Sequence, residues 1–245
     1  MNKTIVNFEH VNKKFYNKKS EIKVIDDMNF HVDEGEIIAL VGPSGAGKTT
    51  ILNLISRLID NDDGKISIDA SLGYMFQKDN LFEWLTIYKN IILGLGIKRK
   101  ITKEDQIEVE NMAKRYGLYD FLDYYPSQLS GGMRQKVALM RTLLLKPNLL
   151  LLDEPFSALD YVTRLDLEEE IFTVLRNLNI SAIIVTHDIA EAIVLSNRIY
   201  VLSSRPCTVK KEYILEKEFS DSLPSKTRML PKFQYYFQDI VETLK

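Results

Sequence analysis

The 245-residue sequence predicts an α/β fold in which helices cover both faces of a mostly parallel sheet. Three observations predict this fold class. Short apolar runs, such as residues 149–152, are typical of strands buried in a parallel sheet. Segments with apolar residues at helical spacing alternate with these runs. A longer helical stretch at 78–146 interrupts the alternation, which predicts a helical subdomain inserted into the core.

The elements follow one another along the chain in a regular order. Strands are predicted at residues 4–8, 24–32, 36–41, 65–69, 72–76, 149–152, 182–185, 199–202 and 208–214. Helices are predicted at 48–59, 104–116, 133–144, 167–178, 188–195 and 232–244, and a turn at 61–64. We expect a core with an antiparallel β portion at 1–77 and 147–205, the helical subdomain at 78–146 and a C-terminal tail at 206–245.

A glycine-rich loop joins the strand at 36–41 to the first helix. Its pattern, Gly-x-x-x-x-Gly-Lys-Thr, is the phosphate-binding loop of nucleoside triphosphatases. Backbone N–H groups and the helix N-terminus form an anion cradle there, and glycines allow the close approach of phosphate. The residues assigned to nucleotide binding are Gly42, Pro43, Ser44, Gly45, Ala46, Gly47, Lys48, Thr49 and Thr50. Lys48 supplies a charge near the β- and γ-phosphates, and the Thr49 hydroxyl is a candidate Mg²⁺ ligand.

Polar residues that end core strands are the candidates for catalysis, because ligand chemistry in parallel sheets sits at the carboxyl ends of strands. Asp153 is a direct or second-sphere candidate for Mg²⁺, and Glu154 suits a general base. His187 is a candidate γ-phosphate contact, and Gln77 could ligate Mg²⁺ or hold the attacking water. The alternatives are a solvated acidic turn at residues 153–154, a structural histidine and an unremarkable glutamine.

A second glycine-rich element precedes the helix at 133–144. Ser130 is a good N-cap, and the N–H groups of Gly131 and Gly132 open a helix N-terminus, which makes another anion site. One chain then carries two phosphate-binding termini but one complete cradle. We therefore expect two copies to pair head to tail, each closing the nucleotide site of the other. The alternative is a capped helix without a ligand.

Lysines and aromatic residues are interleaved after the first strand, at Lys13, Lys14, Phe15, Tyr16, Lys18, Lys19 and Lys23. This run is either a solvated hairpin or a nucleotide-facing turn in which an aromatic ring stacks on the base.

Composition narrows the classes of partner. Hydrophobic residues make up 45% of the chain and charged residues 27%, as in a globular protein with a sizeable core. The formal net charge of −2 gives no support to a nucleic-acid partner. The single cysteine, Cys207, fits a reducing compartment. No apolar run approaches the length of a membrane span and no signal core is visible, so we expect a cytoplasmic protein that would need a partner to supply membrane spans.

Taken together, these motifs resemble those of the ATP-binding cassette family, the ATPase subunits of ABC transporters. Residues 42–49 resemble its Walker A motif, Gln77 its Q-loop, residues 129–135 its signature motif, residues 149–154 its Walker B motif with the catalytic glutamate, residues 157–160 its D-loop and His187 its switch histidine.

The resemblance implies an ABC ATPase fold forming one ABC transporter domain, with Mg²⁺-dependent ATP hydrolysis. It also implies a dimer in which two ATP molecules lie between Walker A of one subunit and Ser130, Gly131 and Gly132 of the other, with Asp160 in the adjoining D-loop. Phe15 would stack on adenine, with its neighbour Tyr16 as the alternative. The implied partners are transmembrane permease subunits, which dock near Gln77 at the cytoplasmic face of the membrane, and an extracytoplasmic binding protein that acts indirectly.

Four further segments resemble the nitrate, sulfonate, taurine and bicarbonate importer subfamily: residues 80–86, 125–128, 153–160 and 202–206. The subfamily usually has proline where this chain has Glu83, and glycine where it has Ser157. We expect an importer of a small anion or related solute. The alternatives are an importer of a thiamine-pyrimidine precursor and a non-transport ABC ATPase that acts as a conformational switch.

Overall fold

The structure is a computed structural model that describes residues 3–16, 20–157 and 159–245. Lys18 and Lys19 of the lysine run and Ala158 of the D-loop lie outside the described residues. The strands are β1 (Thr4–Tyr16), β2 (Glu21–Asp33), β3 (Ile37–Val41), β4 (Asp63–Ile68), β5 (Leu72–Met75), β6 (Leu149–Asp153), β7 (Ser181–Thr186), β8 (Arg198–Leu202) and β9 (Val209–Ile214). The helices are α1 (Lys48–Ile55), α2 (Ile87–Lys98), α3 (Lys103–Arg115), α4 (Gly131–Leu143), α5 (Tyr161–Asn177), α6 (Ile189–Leu195), α7 (Lys217–Asp221), α8 (Pro224–Thr227) and α9 (Phe233–Leu244).

Two sheets organise these elements, and the predicted fold class is confirmed. The larger sheet has the order β5-β6-β7-β3-β8-β9, in which β9 alone is antiparallel to its neighbour. The smaller sheet has the order β2-β1-β4 and is antiparallel. Every residue of β3, β6, β7 and β8 is buried, which explains why these strands read as unbroken apolar runs.

Alternate residues of the central strand β3 face opposite sides of the large sheet. Ile38 and Leu40 pack in one cluster with residues of the antiparallel sheet and of α1. Ala39 and Val41 pack in another cluster with residues of α6, α7 and α9. Because β3, β6, β7 and β8 are parallel, the loops that follow them open at the same edge of the sheet.

Helices α2, α3 and α4 follow β5 and precede β6 in the chain. Thr102 and Asp105 form a reciprocal capping box at the start of α3, and Ser130 accepts the Met133 N–H at the start of α4. Helix α2 ends at Lys98, a basic residue in its last turn.

Several predicted boundaries are wrong for local reasons. Helix α1 ends at Ile55 and not at residue 59, because Arg57 adopts a left-handed conformation with φ of 55° and Leu58 is 61% exposed. The predicted turn at 61–64 is shorter, since β4 already begins at Asp63. The short helices α7 and α8 are not predicted, because neither is long enough to display a helical period.

The C-terminal residues are integrated into the larger sheet. Strand β9 pairs with β8, and the side chains of Tyr213, Phe219 and Ile240 are buried against the sheet. Among the described residues, the helices are all too short or too polar to cross a membrane.

Candidate active site

The glycine-rich loop connects β3 to α1, as predicted. Gly45 and Gly47 have positive φ values of 75° and 126°. A Cβ atom on Gly47 would lie 2.9 Å from Cγ1 of Val24, so this position has no room for a side chain. The loop is therefore pressed against strand β2 of the antiparallel sheet.

Lys48 lies inside the loop at the first position of α1, and only 5% of its surface is exposed. Its ammonium donates to the carbonyl oxygens of Gly42 (2.7 Å) and Pro43 (3.1 Å). Burial lowers the pKa of Lys48, and the nearby carboxyl groups of Glu154 and Asp153 oppose that shift. The side chain thus carries its charge in the centre of the loop.

Thr49 and Asp153 meet below the loop. The Thr49 hydroxyl donates to Oδ1 of Asp153 at 3.1 Å, and burial at the end of β6 raises the pKa of this carboxyl group. Hydroxyl and carboxylate oxygens are the hard ligands that Mg²⁺ prefers. In the described part of the chain no three His, Cys, Asp or Glu side chains cluster as a metal site. A Mg²⁺ ion here would take its other ligands from phosphate and water, as is usual for this ion.

Two predicted catalytic residues converge on one carboxylate oxygen of the third. Nε2 of Gln77 donates to Oε2 of Glu154 at 3.2 Å, and Nδ1 of His187 lies 3.2 Å from the same oxygen. Glu154 has a left-handed φ of 45°, and its N–H donates to the carbonyl of Val185 at 2.8 Å. The strand ends of β5, β6 and β7 therefore deliver these side chains to one point.

A hydrogen-bonded network lies beside His187. The Thr186 hydroxyl donates to Oε2 of Glu191 at 2.6 Å and accepts from the N–H of Asp188 at 3.0 Å. Asp188 caps α6 through the N–H groups of Ala190 and Glu191. Burial raises the pKa of Glu191 to about 7. The network fixes the backbone on both sides of His187.

A cleft of about 520 Å³ opens above the loop. Its lining residues are Phe15, Ile22, Val24, Ser44, Gly45, Gly47, Lys48, Thr49, Thr50, Gln77, Glu154 and Arg205. Phe15 forms part of the wall, whereas its neighbour Tyr16 is 70% exposed and does not line the cleft.

The second glycine-rich element does not line this cleft. Ser130 Oγ accepts from the Met133 N–H at 3.3 Å, and Gly131 begins α4. A Cβ atom on Gly132 would lie 2.4 Å from Cγ2 of Thr163. The N–H and the hydroxyl of Thr163 both donate to the carboxylate of Asp160, the N-cap of α5. The starts of α4 and α5 are therefore packed together, apart from the chain's own cleft.

Sequence reasoning missed a link between α4 and the segment after Gln77. Arg134 donates through Nε to Asp79 at 2.8 Å and through Nη2 to Glu83 at 2.7 Å. Arg141 donates to the backbone carbonyl of Asp79 at 2.6 Å. Basic residues one and three helical turns into α4 face an acidic loop, but no local pattern connects the two segments.

Arg205, which lines the cleft, was not predicted from the sequence either. Its guanidinium donates through Nε (3.1 Å) and Nη2 (2.6 Å) to the carbonyl of Gly45. Arg205 follows the end of β8, as Asp153 ends β6 and His187 follows β7. This shared position at the carboxyl edge of the sheet is the signal that could have identified it.

Comparison with known proteins shows one family. The family model described as "ABC transporter" matches residues 25–157. The uncharacterized ABC transporter ATP-binding protein YtlC of Bacillus subtilis is 40% identical over 98% of this chain and 96% of its own length. The aliphatic sulfonates import ATP-binding protein SsuB of Bacillus cereus is 36% identical over 94% and 96%. The nitrate import ATP-binding protein NrtD of Synechocystis is 35% identical over 96% and 93%.

Solved structures give the same fold. The ATP-binding cassette MJ0796, solved as a dimer in a post-hydrolysis state bound to ADP and Pi, has a TM-score of 0.75 and 29% identity over 86% of this chain and 99% of its own. The cbiO1 protein of Clostridium perfringens has a TM-score of 0.77 over 97% and 99% of the two chains. At 23% identity, the latter likeness concerns the fold alone.

Proposed function

This chain belongs to the ABC transporter family as an ATP-binding and ATP-hydrolysing subunit of the importer type, and on that premise we propose that it powers the uptake of a small anion. The observation that supports ATP hydrolysis in this proposal is the convergence of Gln77 and His187 on one oxygen of Glu154, beside the loop that holds Lys48. This arrangement can hold a terminal phosphate next to a base.

The loop and its neighbours bind the nucleotide in this proposal. Residues 42–50 surround the phosphates with backbone N–H groups, and the Lys48 ammonium exchanges its carbonyl partners for phosphate oxygens. Thr49 and Asp153, with Gln77 nearby, would hold Mg²⁺, which neutralises charge on the phosphates when bound. Phe15 stacks on the adenine base at the edge of the cleft.

Hydrolysis follows from the same geometry. Glu154 accepts a proton from a water molecule whose oxygen attacks the γ-phosphorus, while the bond to the bridging oxygen of ADP breaks. Gln77 and His187 hold the Glu154 carboxylate in place. In this proposal His187 also donates a hydrogen bond to the departing phosphate.

Two copies of the chain complete the site. Ser130, Gly131, Gly132 and Asp160 lie away from their own cleft but on one packed face. In a head-to-tail dimer this face would cover the γ-phosphate held by the other copy. The dimeric state of MJ0796, a structural relative, supports this arrangement.

The helical region offers a surface for a permease. A groove of about 300 Å³ is lined by Tyr74, Phe76, Ile97 and neighbouring residues of β5, α2 and α4. Close by in the chain, Trp84 is 73% exposed and makes an edge-to-face contact with Phe82. Exposed aromatic residues beside an apolar groove suit a short helix of a membrane partner. The chain would then sit peripherally at the cytoplasmic face of the membrane.

The names of the relatives support a sulfonate or nitrate as the solute. We propose in addition that an extracytoplasmic binding protein delivers this solute to the permease. The test is to purify the tagged chain from membranes with its permease and to reconstitute the complex in proteoliposomes. We expect the purified binding protein, loaded with an alkyl sulfonate, taurine or nitrate, to stimulate ATP hydrolysis. Stimulation by a thiamine-pyrimidine precursor alone would replace the anion assignment, and a chain that recovers no polytopic partner would contradict the importer role.

A further inference from the structure

Arg205 lies in the segment at residues 202–206, in which no residue is predicted to bind nucleotide. Its two hydrogen bonds hold the guanidinium over the carbonyl of Gly45, in the middle of the phosphate loop. The side chain is exposed on the wall of the same cleft that Phe15 and Lys48 line. The guanidinium therefore faces the space that the nucleotide would fill.

The backbone that carries Arg205 is held in place. The N–H of Cys207 donates to the carbonyl of Val24 at 2.8 Å, and the carbonyl of Cys207 accepts from Asp26 at 3.0 Å. The buried Cys207 side chain lies 3.5 Å from where a Cβ of Gly47 would be. The segment is thus wedged between β2 and the loop, which restricts where the guanidinium can reach.

Among the described residues, no neighbour neutralises the charge of Arg205. No carboxylate in these ranges lies at ion-pair distance from its guanidinium, and Nη1 makes no hydrogen bond with them. Among the described residues that line the cleft, Lys48 is the other cation. A guanidinium has five donors, of which the Gly45 carbonyl engages two, and its planar fork suits phosphate.

We propose that Arg205 is a nucleotide-binding residue that contacts the polyphosphate of ATP and ADP while anchored on the Gly45 carbonyl. The inference rests on the proposed nucleotide site. It assigns a second cationic phosphate ligand, which enters from the end of β8 and not from the phosphate loop itself.

The test compares Arg205→Gln with Arg205→Lys in the full chain. Glutamine can still donate to the Gly45 carbonyl but has no charge, whereas lysine keeps the charge. We expect Arg205→Gln to raise the Kd for ATP and for ADP about tenfold, the value of one charge-assisted hydrogen bond, and Arg205→Lys to recover most of the loss. Arg115→Gln on α3, which contributes nothing to the cleft, is the matched charge control and should bind as the wild type does.

The outcomes distinguish two roles for Arg205: binding the phosphates of the nucleotide, or only stabilising the loop through the Gly45 carbonyl. Wild-type affinity in Arg205→Gln, or equal losses in both variants, would overturn the proposal. Lys48→Ala distinguishes failure of the Arg205 proposal from failure of the nucleotide site. An unchanged affinity of Lys48→Ala for ATP would refute the nucleotide site itself. Should the variants not fold, phenylglyoxal modification of the wild type decides: ATP and ADP should protect Arg205, and full reactivity at saturating nucleotide would contradict the contact.

Discussion

Glu154 combines an unusual backbone with an exact placement of its side chain. A left-handed φ is costly for a residue with a side chain, and the hydrogen bond from its N–H to Val185 helps to hold it. This turn directs the carboxylate towards Gln77 and His187. Asp153, one residue earlier, is buried and bonded to Thr49. Two adjacent carboxylates thus occupy different environments and can serve different roles.

Replacing Glu154 by glutamine tests the role of the base. We expect Glu154→Gln to slow hydrolysis by about 10²–10⁴-fold and to leave the Kd for ATP unchanged, because a base is lost and the phosphate loop is not. Steady-state phosphate release and nucleotide titration measure the two quantities. Glu110→Gln, on the exposed side of α3, should retain full turnover. Wild-type turnover in Glu154→Gln would exclude this residue as the base.

Glu191 predicts a pH dependence of stability. Its pKa rises from 4.5 to about 7 on burial, so the folded chain binds a proton more tightly than the unfolded chain. The stabilisation of the fold by protonated Glu191, relative to the ionised form, is complete below pH 4.5 and is lost as the pH rises through about 7. Glu191→Gln keeps an acceptor for Thr186 and does not titrate.

We therefore expect Glu191→Gln to be more stable than the wild type at pH 8 by about 2–3 kcal/mol, with the difference vanishing near pH 4.5. Urea unfolding of both proteins across this range measures the difference in the free energy of unfolding. The exposed Glu242→Gln should follow the wild-type curve. A constant offset between Glu191→Gln and the wild type at every pH would refute the assignment.

At the scale of elements, α2 organises the loop that precedes it through one buried side chain. Asn90 is fully buried, accepts from the N–H of Phe82 at 2.8 Å and donates to the carbonyls of Phe82, Leu85 and Thr86. These bonds shape the segment that displays Trp84. The surface proposed for the permease thus depends on a polar group in the interior.

Asn90→Leu should destabilise the chain by about 2–4 kcal/mol, because the branched shape is kept while the buried backbone groups lose their partners and the methyl groups must fit a polar site. It should also weaken recovery of the permease by more than it weakens ATP binding, since the cleft lies elsewhere. Urea unfolding and membrane co-purification measure these effects. Asn111→Leu, exposed on α3, is the matched control. Normal stability of Asn90→Leu would show that the network is dispensable.

Much of the site could be predicted because its parts are local. The phosphate loop is continuous in sequence, and Asp153, Glu154 and His187 each lie at the end of an apolar strand. The position of Arg205 after the end of β8 is a weak local signal, and its contact with Gly45 was not predicted because it joins positions 160 residues apart that only the sheet order brings together. The ion pairs of Arg134 with Asp79 and Glu83 were not predicted either, because they join positions 55 and 51 residues apart. Helix α1 shows the opposite error, since its apolar period continues after the backbone has turned at Arg57.

At the scale of the whole molecule, the proposed function uses two faces of the chain. One is the cleft above the loop, and the other holds Ser130, Gly132 and Asp160. The ion pair of Arg134 with Asp79 ties the second face to the segment after Gln77. This ion pair is a direct contact between the helix that begins at the second face and the segment proposed to meet the permease.

Mixing two defective subunits tests the head-to-tail pairing. Lys48→Ala damages the cleft and Ser130→Arg damages the opposite face, and each should abolish ATP-driven dimerisation alone. In a Glu154→Gln background, where hydrolysis is slow, the mixture should regain dimers, because one composite site has both faces intact. Size-exclusion chromatography with light scattering measures the dimer. No recovery in the mixture, with both variants folded, would contradict a shared site.

The position of the Lys48 ammonium has a consequence for kinetics. The hydrogen bonds from Lys48 to the carbonyls of Gly42 and Pro43 already hold the loop in shape. An incoming nucleotide therefore has to replace these hydrogen bonds, but the loop does not have to fold around it. Nucleotide binding should then proceed in a single step. In stopped-flow measurements with a fluorescent nucleotide, we expect the observed rate to rise linearly with concentration and to reach no plateau.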